Sequence, residues 1–266
     1  MNKPEQDFAM FMDAQKMQAL FQDELPDCSS GDWKITDCKI QHPRFKTYLN
    51  PKSRDKSFLA LAYHLTGVNE QTKQADERIL YVKAYLAGRN QDEYQKACKQ
   101  AENLRPTSVL HLDKYGMIGW FFPYDPALSM LHKLLDKPFA KSYLADFLLL
   151  QQRGLSPVIR GLDIAIVNYR PEIRCTYRYD YQGLSGIKKT IFGKSFADNK
   201  GAVIQRRIVI LNQHAKTHPG GFTFPPPLGY DENLNTLWLE GLAGQPLLDR
   251  LDESNAGVLM PQVARH

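Results

Sequence analysis

The residue best suited to chemistry in this sequence is Lys194, which lies in the predicted β-strand at residues 189–196 (KTIFGKSF). An ammonium group in the middle of a strand is costly to bury unless a negative group meets it. Lys194 is therefore predicted to meet a negative group. The alternative is a lysine on an edge strand that extends its ammonium group into water.

Two further groups of polar residues are candidates for chemistry. The pair His111 and Asp113 (HLD) has the spacing of a catalytic-loop pair, but Ile118 stands where phosphoryl transfer needs an asparagine. We therefore predict that this pair is structural. A basic and aromatic cluster at the start of the predicted strand 173–181 and in the turn before it could meet phosphate or nucleic acid, or could brace neighbouring carboxylates. It consists of Tyr169, Arg170, Arg174 and Arg178.

Strands and helices predicted on either side of Lys194 would position it. Residues 57–65 and 78–86 read as one hairpin, and residues 109–122 as a further strand. Residues 163–167, 173–181 and 189–196 read as strands in the second half, followed by short strands at 224–230 and 235–240. Helical composition or spacing marks residues 5–25, 90–103, 139–153 and 202–215.

The order of these elements suggests an internal repeat. Residues 81–85 (YVKAY) align with residues 192–196 (FGKSF), so that Lys83 and Lys194 each lie between aromatic residues near the end of a hairpin. Each aligned segment is followed by a helical stretch. The alternative is chance similarity between two hairpins, because short strand patterns recur easily.

Four strings follow one another in the second half of the chain: YRPEIRCTYRYDY, IFGKSFAD, PPPLGY and LWLEGLAGQPLLD. Their order resembles the N-terminal lobe of the aminoglycoside phosphotransferase and choline-kinase-like superfamily, which belongs to the protein-kinase-like folds. Members commonly show an arginine-rich first strand, a GK dipeptide on the lysine strand, a proline-led turn and a leucine-glutamate hinge. The resemblance covers residues 163–249 and extends loosely to residues 121–136.

The resemblance implies roles for five residues. Lys194 would contact the phosphates of ATP, the backbone near Glu240 and Leu242 would hold the adenine, and Gly183 and Gly186 would lie in the turn that covers the phosphates. A complete protein of this kind would use ATP and Mg²⁺ to phosphorylate a hydroxyl group of a small molecule.

The sequence departs from the superfamily pattern in two places near Lys194. The glycine loop lacks a GxGxxG pattern. The helix after Lys194 offers Gln205, Arg206 and Arg207 where a glutamate usually orients the lysine.

The residues that transfer phosphate are also expected after the hinge. Beyond Gly244 the acidic residues are Asp249, Asp252 and Glu253, without an HxD or DxD pattern, and residues 258–266 resemble the opening of the helix that begins the next lobe. We therefore expect the lobe to stop before the catalytic loop and this chain alone to be inactive.

The expected fold class is α+β, with two kinase N-lobe-like modules, each an antiparallel sheet with packed helices, and no C-terminal catalytic lobe. The first module would span residues 1–156 and the second, nucleotide-binding module residues 157–266. A different class of function stays open: a non-catalytic, pseudokinase-like module that binds a protein partner through residues 33–136.

Composition limits the possible partners and the location. The 266 residues are 43% hydrophobic and 24% charged, and the net charge of +5 comes from scattered basic residues, which permits an anionic ligand but does not argue for nucleic acid. No apolar run approaches the roughly 20 residues of a membrane span, and the N-terminus lacks a secretory pattern, so a cytoplasmic protein is expected. The cysteines lack metal-binding spacing and are expected to be free thiols: Cys28, Cys38, Cys98 and Cys175.

Overall fold

The computed structural model describes most of the chain, with several gaps. The described residues are 8–47, 56–85, 89–102, 104, 108–150, 158–183, 186–217 and 224–242. The chain divides into two compact units, Met1–His132 and Lys133–His266. No helix within the described ranges is long and apolar enough to span a membrane.

The described residues of the first unit form five strands and three helices, together with short 3₁₀ turns. The strands are β1 (Trp33–Lys46), β2 (Phe58–Asn69), β3 (Ala75–Tyr85), β4 (Val109–Leu112) and β5 (Met117–Phe121). The helices are α1 (Ala14–Glu24), α2 (Pro26–Ser29) and α3 (Asn90–Gln100). A four-residue helix, α4 (Leu131–Leu134), lies at the division between the units.

The first sheet is antiparallel, with the strand order β1-β2-β3-β5-β4. Helix α1 begins at Ala14 because the Asp13 side chain accepts a hydrogen bond from the backbone N–H of Lys16 at 3.1 Å. It buries Met17 and Phe21 against one face of the sheet, where the ring of Phe21 meets that of Tyr63 edge-on, with the centroids 4.8 Å apart. This contact forms the centre of the first core.

In the second unit, the part of the chain that the structure describes forms the other five strands and two long helices. The strands are β6 (Gly161–Arg170), β7 (Arg174–Gln182), β8 (Lys188–Phe196), β9 (Pro227–Asp231) and β10 (Thr236–Glu240). The helices are α5 (Lys137–Leu150) and α6 (Lys200–Thr217).

The second sheet has the strand order β6-β7-β8-β10-β9, the same order as in the first. Helix α5 covers one face, where its residue Tyr143 packs on Trp238 and accepts a hydrogen bond from the indole Nε1 at 3.2 Å. The Tyr143 hydroxyl donates in turn to Asp231 at 2.7 Å. Tyr177 and Tyr179 complete this aromatic core.

The predicted α+β fold with antiparallel sheets is confirmed. The aligned segments of the sequence repeat are the last five residues of β3 and of β8, which are the third strands of their sheets. The sequence placed the division between modules at residues 156 and 157, whereas the compact units divide after His132, and α5 packs on the second sheet. Residues 109–122, which have strand-like content, form the two strands β4 and β5.

Candidate functional site

Strand β8 presents its residues to the two faces of the second sheet in alternation. A Cβ atom on Gly193 would overlap the ring of Tyr177 and lie 2.8 Å from Trp238, so Gly193 faces the core under α5. Its neighbour Lys194 therefore faces the opposite side of the sheet. The candidate lysine lies outside the aromatic core.

Lys194 is half-buried on this opposite face. Its cross-strand partners are Thr176 in β7 and Leu237 in β10, and its ammonium nitrogen lies 5.5 Å from the centroid of the Phe196 ring. The next cation on this face is Arg174, whose cross-strand partner is Phe196. Lys194 and Arg174 are thus diagonal neighbours across β7 and β8.

The electrostatics of this pair are unusual. Burial, and after it the positive charge of Arg174, lowers the pKa of Lys194. Within the described ranges neither Lys194 nor Arg174 forms an ion pair with a carboxylate. Two cations that lose water without gaining an acidic partner would both be stabilised by a bound anion.

Arg178, from the same basic strand, behaves differently. Its Nε donates to the Asp180 carboxylate at 2.8 Å, and the hydroxyl of Thr190 donates to the other oxygen of that carboxylate at 2.6 Å. Arg178 therefore braces a carboxylate, which is one of the two alternatives that the sequence left open. Of the basic residues in that cluster, Arg174 is the member that lies beside Lys194.

The two glycines of the predicted phosphate-covering turn lie far from Lys194. The N–H of Gly186, with a φ of 71°, donates to the carbonyl of Gly183 at 3.1 Å in the connection between β7 and β8. Lys188 follows this connection, and Lys194 lies six residues further along β8. At about 3.3 Å per residue the separation is about 20 Å, so the structure does not bring these glycines to the lysine.

A different turn lies at the lysine end of the sheet. It joins β6 to β7, where Arg170 pairs with Arg174 and the N–H of Ile173 donates to the carbonyl of Arg170 at 3.1 Å. Glu172 in this turn has a φ of 60°. The sequence contained a signal that Lys194 lies far from the glycine turn. Lys194 is eight positions beyond Gly186, and a residue so far from a hairpin turn lies at the other end of its strand.

The predicted adenine-binding residues lie closer to Lys194. Glu240 pairs with Ile191, three residues from Lys194 along β8, which is about 10 Å. The N–H of Glu240 already donates to the carbonyl of Pro226 at 2.9 Å. Leu242 lies two residues beyond β10 and is 49% exposed.

Helix α6 provides no carboxylate for Lys194. Its sequence from Lys200 to Thr217 contains no acidic residue, and Arg206 and Arg207 are exposed. The helix is held at its start by Asp198, which accepts from the N–H of Lys200 at 3.1 Å. It packs through Gly201, which lies against Tyr230 and Phe196.

No protein-family model, curated protein or solved structure matches this chain. The geometry of the two units is therefore the main guide to its function.

The pair His111 and Asp113 belongs to a polar network in the first unit. Asn90, at the start of α3, is buried and its amide nitrogen lies 2.5 Å from an Asp113 oxygen and 3.0 Å from His111 Nε2. The ring of Tyr94 stacks on His111, with the centroids 4.3 Å apart. These contacts join α3 to β4, which is a structural role.

Proposed function

We propose that the second unit binds the phosphates of a nucleotide on the sheet face that carries Lys194 and Arg174. The observation that carries the proposal is the half-buried Lys194 beside a second cation, without an acidic partner in the described part of the chain. A phosphate would neutralise both cations at once. The resemblance to the N-terminal lobe of aminoglycoside and choline-kinase-like phosphotransferases supports ATP as the nucleotide.

Each residue of the site would make a different contact. Lys194 would act as a point charge, whereas the planar guanidinium group of Arg174 can hold two phosphate oxygens at once. The Thr176 hydroxyl, from the residue opposite Lys194, can add a neutral hydrogen bond. The adenine would lie toward the backbone beyond Glu240, where Leu242 is exposed.

The proposal concerns nucleotide binding and not phosphoryl transfer. The described residues contain no group of three or more histidine, cysteine, aspartate or glutamate side chains that could hold a metal ion. The proposed function includes no step through Mg²⁺. A small hydroxylated acceptor would belong to a complete enzyme of the kind that the sequence resembles.

Isothermal titration calorimetry with ATP tests the proposal. We expect the wild-type chain to bind ATP, and Lys194→Ala and Arg174→Ala each to weaken binding at least about tenfold, because each removes a charge-assisted contact. Lys188→Ala is the matched control, since Lys188 is an exposed lysine at the other end of the same strand. Titration with inorganic triphosphate separates the contribution of the phosphates from that of the adenine.

Two results would remove the proposal. One is the absence of binding heat for the folded wild-type chain at ATP concentrations well above those in cells. The other is equal weakening by Lys194→Ala and by the Lys188→Ala control. Circular dichroism of each variant confirms that it is folded before the affinities are compared.

A further inference from the structure

Strand β6 is an edge strand of the second sheet, and in the described ranges it pairs only with β7. The other edge strand, β9, is in contact with α6, and Gly201 of that helix packs on Tyr230. Strand β6 is in contact with α5, and on it Ile166 is 43% exposed and Val167 is 54% exposed. An edge strand with exposed apolar residues is a template for pairing with another strand.

A β-bulge in the middle of β6 changes which residues share a face. Ile166 pairs with Tyr177 and Asn168 with Thr176, so that Val167 is an extra residue without a counterpart in β7. Asp163 pairs with Asp180, and Arg170 pairs with Arg174. These two partners lie an even number of residues apart in β7. Asp163 and Arg170 therefore share one face of the sheet, although they are seven residues apart.

The same reasoning applies to the other face. Ile164 pairs with Tyr179, and Tyr169 pairs with Cys175, again an even number of residues apart in β7. Ile164 and Tyr169 therefore share the face that α5 covers. In a regular strand, residues separated by an odd number of positions would lie on opposite faces.

These positions make β6 complementary to itself in the antiparallel direction. With a two-fold axis between Ile166 and Val167, Asp163 lies opposite Arg170 of the second strand, and Ile164 lies opposite Tyr169. The facing residues of each of these two pairs lie on one side of the sheet, and Ile166 and Val167 lie at the axis. Acid meets base at both ends, and apolar side chains meet at the centre.

We infer that two copies of this chain associate through antiparallel pairing of their β6 strands. The second sheet would continue across the two-fold axis into that of the second copy. Asp163 is exposed and forms an ion pair of 3.1 Å with Lys137, which is exposed as well. Because an exposed pair of this kind contributes little, Asp163 can exchange Lys137 for Arg170 of the second copy at small cost.

Strand β1, the corresponding edge of the first sheet, lacks this complementarity. Its outer half is exposed and carries His42, Pro43, Arg44 and Lys46. Proline and basic side chains on an edge strand oppose pairing. The inference on β6 does not depend on nucleotide binding.

Sedimentation equilibrium over a concentration series tests the inference. We expect a monomer–dimer equilibrium for the wild-type chain, and we expect Asp163→Arg or Arg170→Asp alone to raise the dissociation constant by about tenfold or more. Each single reversal replaces two attractive contacts with two repulsive ones. The double variant, Asp163→Arg with Arg170→Asp, restores both attractive contacts and should return the dissociation constant to within about threefold of the wild-type value.

The control is Lys39→Glu, which reverses an exposed charge on β1 and should leave the dissociation constant unchanged. All positions changed are exposed, and thermal unfolding confirms that each variant is folded. A wild-type chain that stays monomeric up to its solubility limit overturns the inference. So does a double variant that remains as weak as the single ones.

Discussion

At the scale of single residues, Gly193 shows that a dipeptide which suggests a functional site can also be explained by packing. The GK dipeptide carries much of the resemblance to a kinase lysine strand. In the structure the glycine has a packing reason, because the rings of Tyr177 and Trp238 occupy the space of a side chain at this position. Lys194, the second residue of the dipeptide, lies on the other face with Arg174.

We predict that Gly193→Ala lowers the free energy of unfolding by about 1–3 kcal/mol, because the added methyl group overpacks the core. The aromatic rings around it are themselves held by other contacts, such as the hydrogen bond of 3.2 Å between the Tyr177 and Ser195 hydroxyls. The control is Gly161→Ala, since nothing lies within 4 Å of a Cβ atom on Gly161. Urea unfolding measures both variants, and equal stability of the two would contradict the packing argument.

The sequence identifies the candidate lysine but not its surroundings. Lys194 can be found because it lies in the middle of a predicted strand, between Phe192 and Phe196. Its neighbour Arg174 differs from Arg178 in its own strand: Asp180, two residues after Arg178, pairs with it, whereas Thr176 lies two residues after Arg174. Asp180 pairs with Arg178, and that contact depends on the position of Thr190 in β8.

At the scale of secondary-structure elements, the connection between β4 and β5 depends on Gly116. This residue has a φ of 64° after a 3₁₀ turn at Asp113–Tyr115, and its carbonyl accepts from the N–H of Tyr85 at 3.0 Å. A left-handed backbone conformation favours glycine because it has no Cβ atom. The turn allows β5 to pair with β3 and β4 to form the edge.

We predict that Gly116→Ala destabilises the chain by about 1–2 kcal/mol, from the left-handed backbone and from a Cβ atom 3.0 Å from the Tyr85 carbonyl. Gly31, with a φ of 82° and nothing within 4 Å of a Cβ atom, is the matched control. Gly31→Ala should cost only the backbone strain. If thermal unfolding shows the smaller loss for Gly116→Ala, crowding against Tyr85 is not the reason for this glycine.

Helix and strand positions follow from the sequence better than their ends do. The hairpin of β2 and β3 is predicted from its apolar content, but both strands are longer than predicted. Strand β2 ends at Asn69 and β3 begins at Ala75, because Asn69 organises a tight turn between them. The Asn69 side chain accepts from the N–H groups of Gln71 and Thr72 at 3.0 and 2.9 Å. The sequence of residues 109–122 is strand-like throughout. Its apolar residues on both sides of Gly116 make the turn at that glycine hard to recognise.

At the scale of the whole molecule, each unit encloses buried phenol and thiol groups. Burial is the first cause that raises the pKa of Tyr63 in the first unit and of Tyr143, Tyr177 and Tyr179 in the second. Burial also raises the pKa of Cys28 and of Cys38 to about 11. The folded chain therefore keeps protons that the unfolded chain releases at alkaline pH.

The consequence is a loss of stability as pH rises. An unfolded thiol or phenol ionises near its ordinary pKa of 9.0 or 10.0, whereas the folded, buried group stays neutral, so the stabilisation is complete below pH 9 and declines above it. Above pH 10 each buried tyrosine should lower the free energy of unfolding by about 1.4 kcal/mol per pH unit. The second unit, in which Tyr177 and Tyr179 are fully buried, should lose about twice that amount per pH unit.

Urea unfolding at stepped pH, followed by circular dichroism, measures this slope, and tyrosinate absorbance should rise together with the loss of structure. Tyr177→Phe is the informative variant, because Tyr177 is fully buried and its hydroxyl bonds only within the core, to Ser195. The variant should be less stable at neutral pH yet lose stability less steeply above pH 10. Two results would contradict this prediction: a free energy of unfolding that stays level from pH 9 to 11, or tyrosinate that forms while the chain is folded. Either would mean that these phenols reach water and that the aromatic core is more open than its contacts indicate.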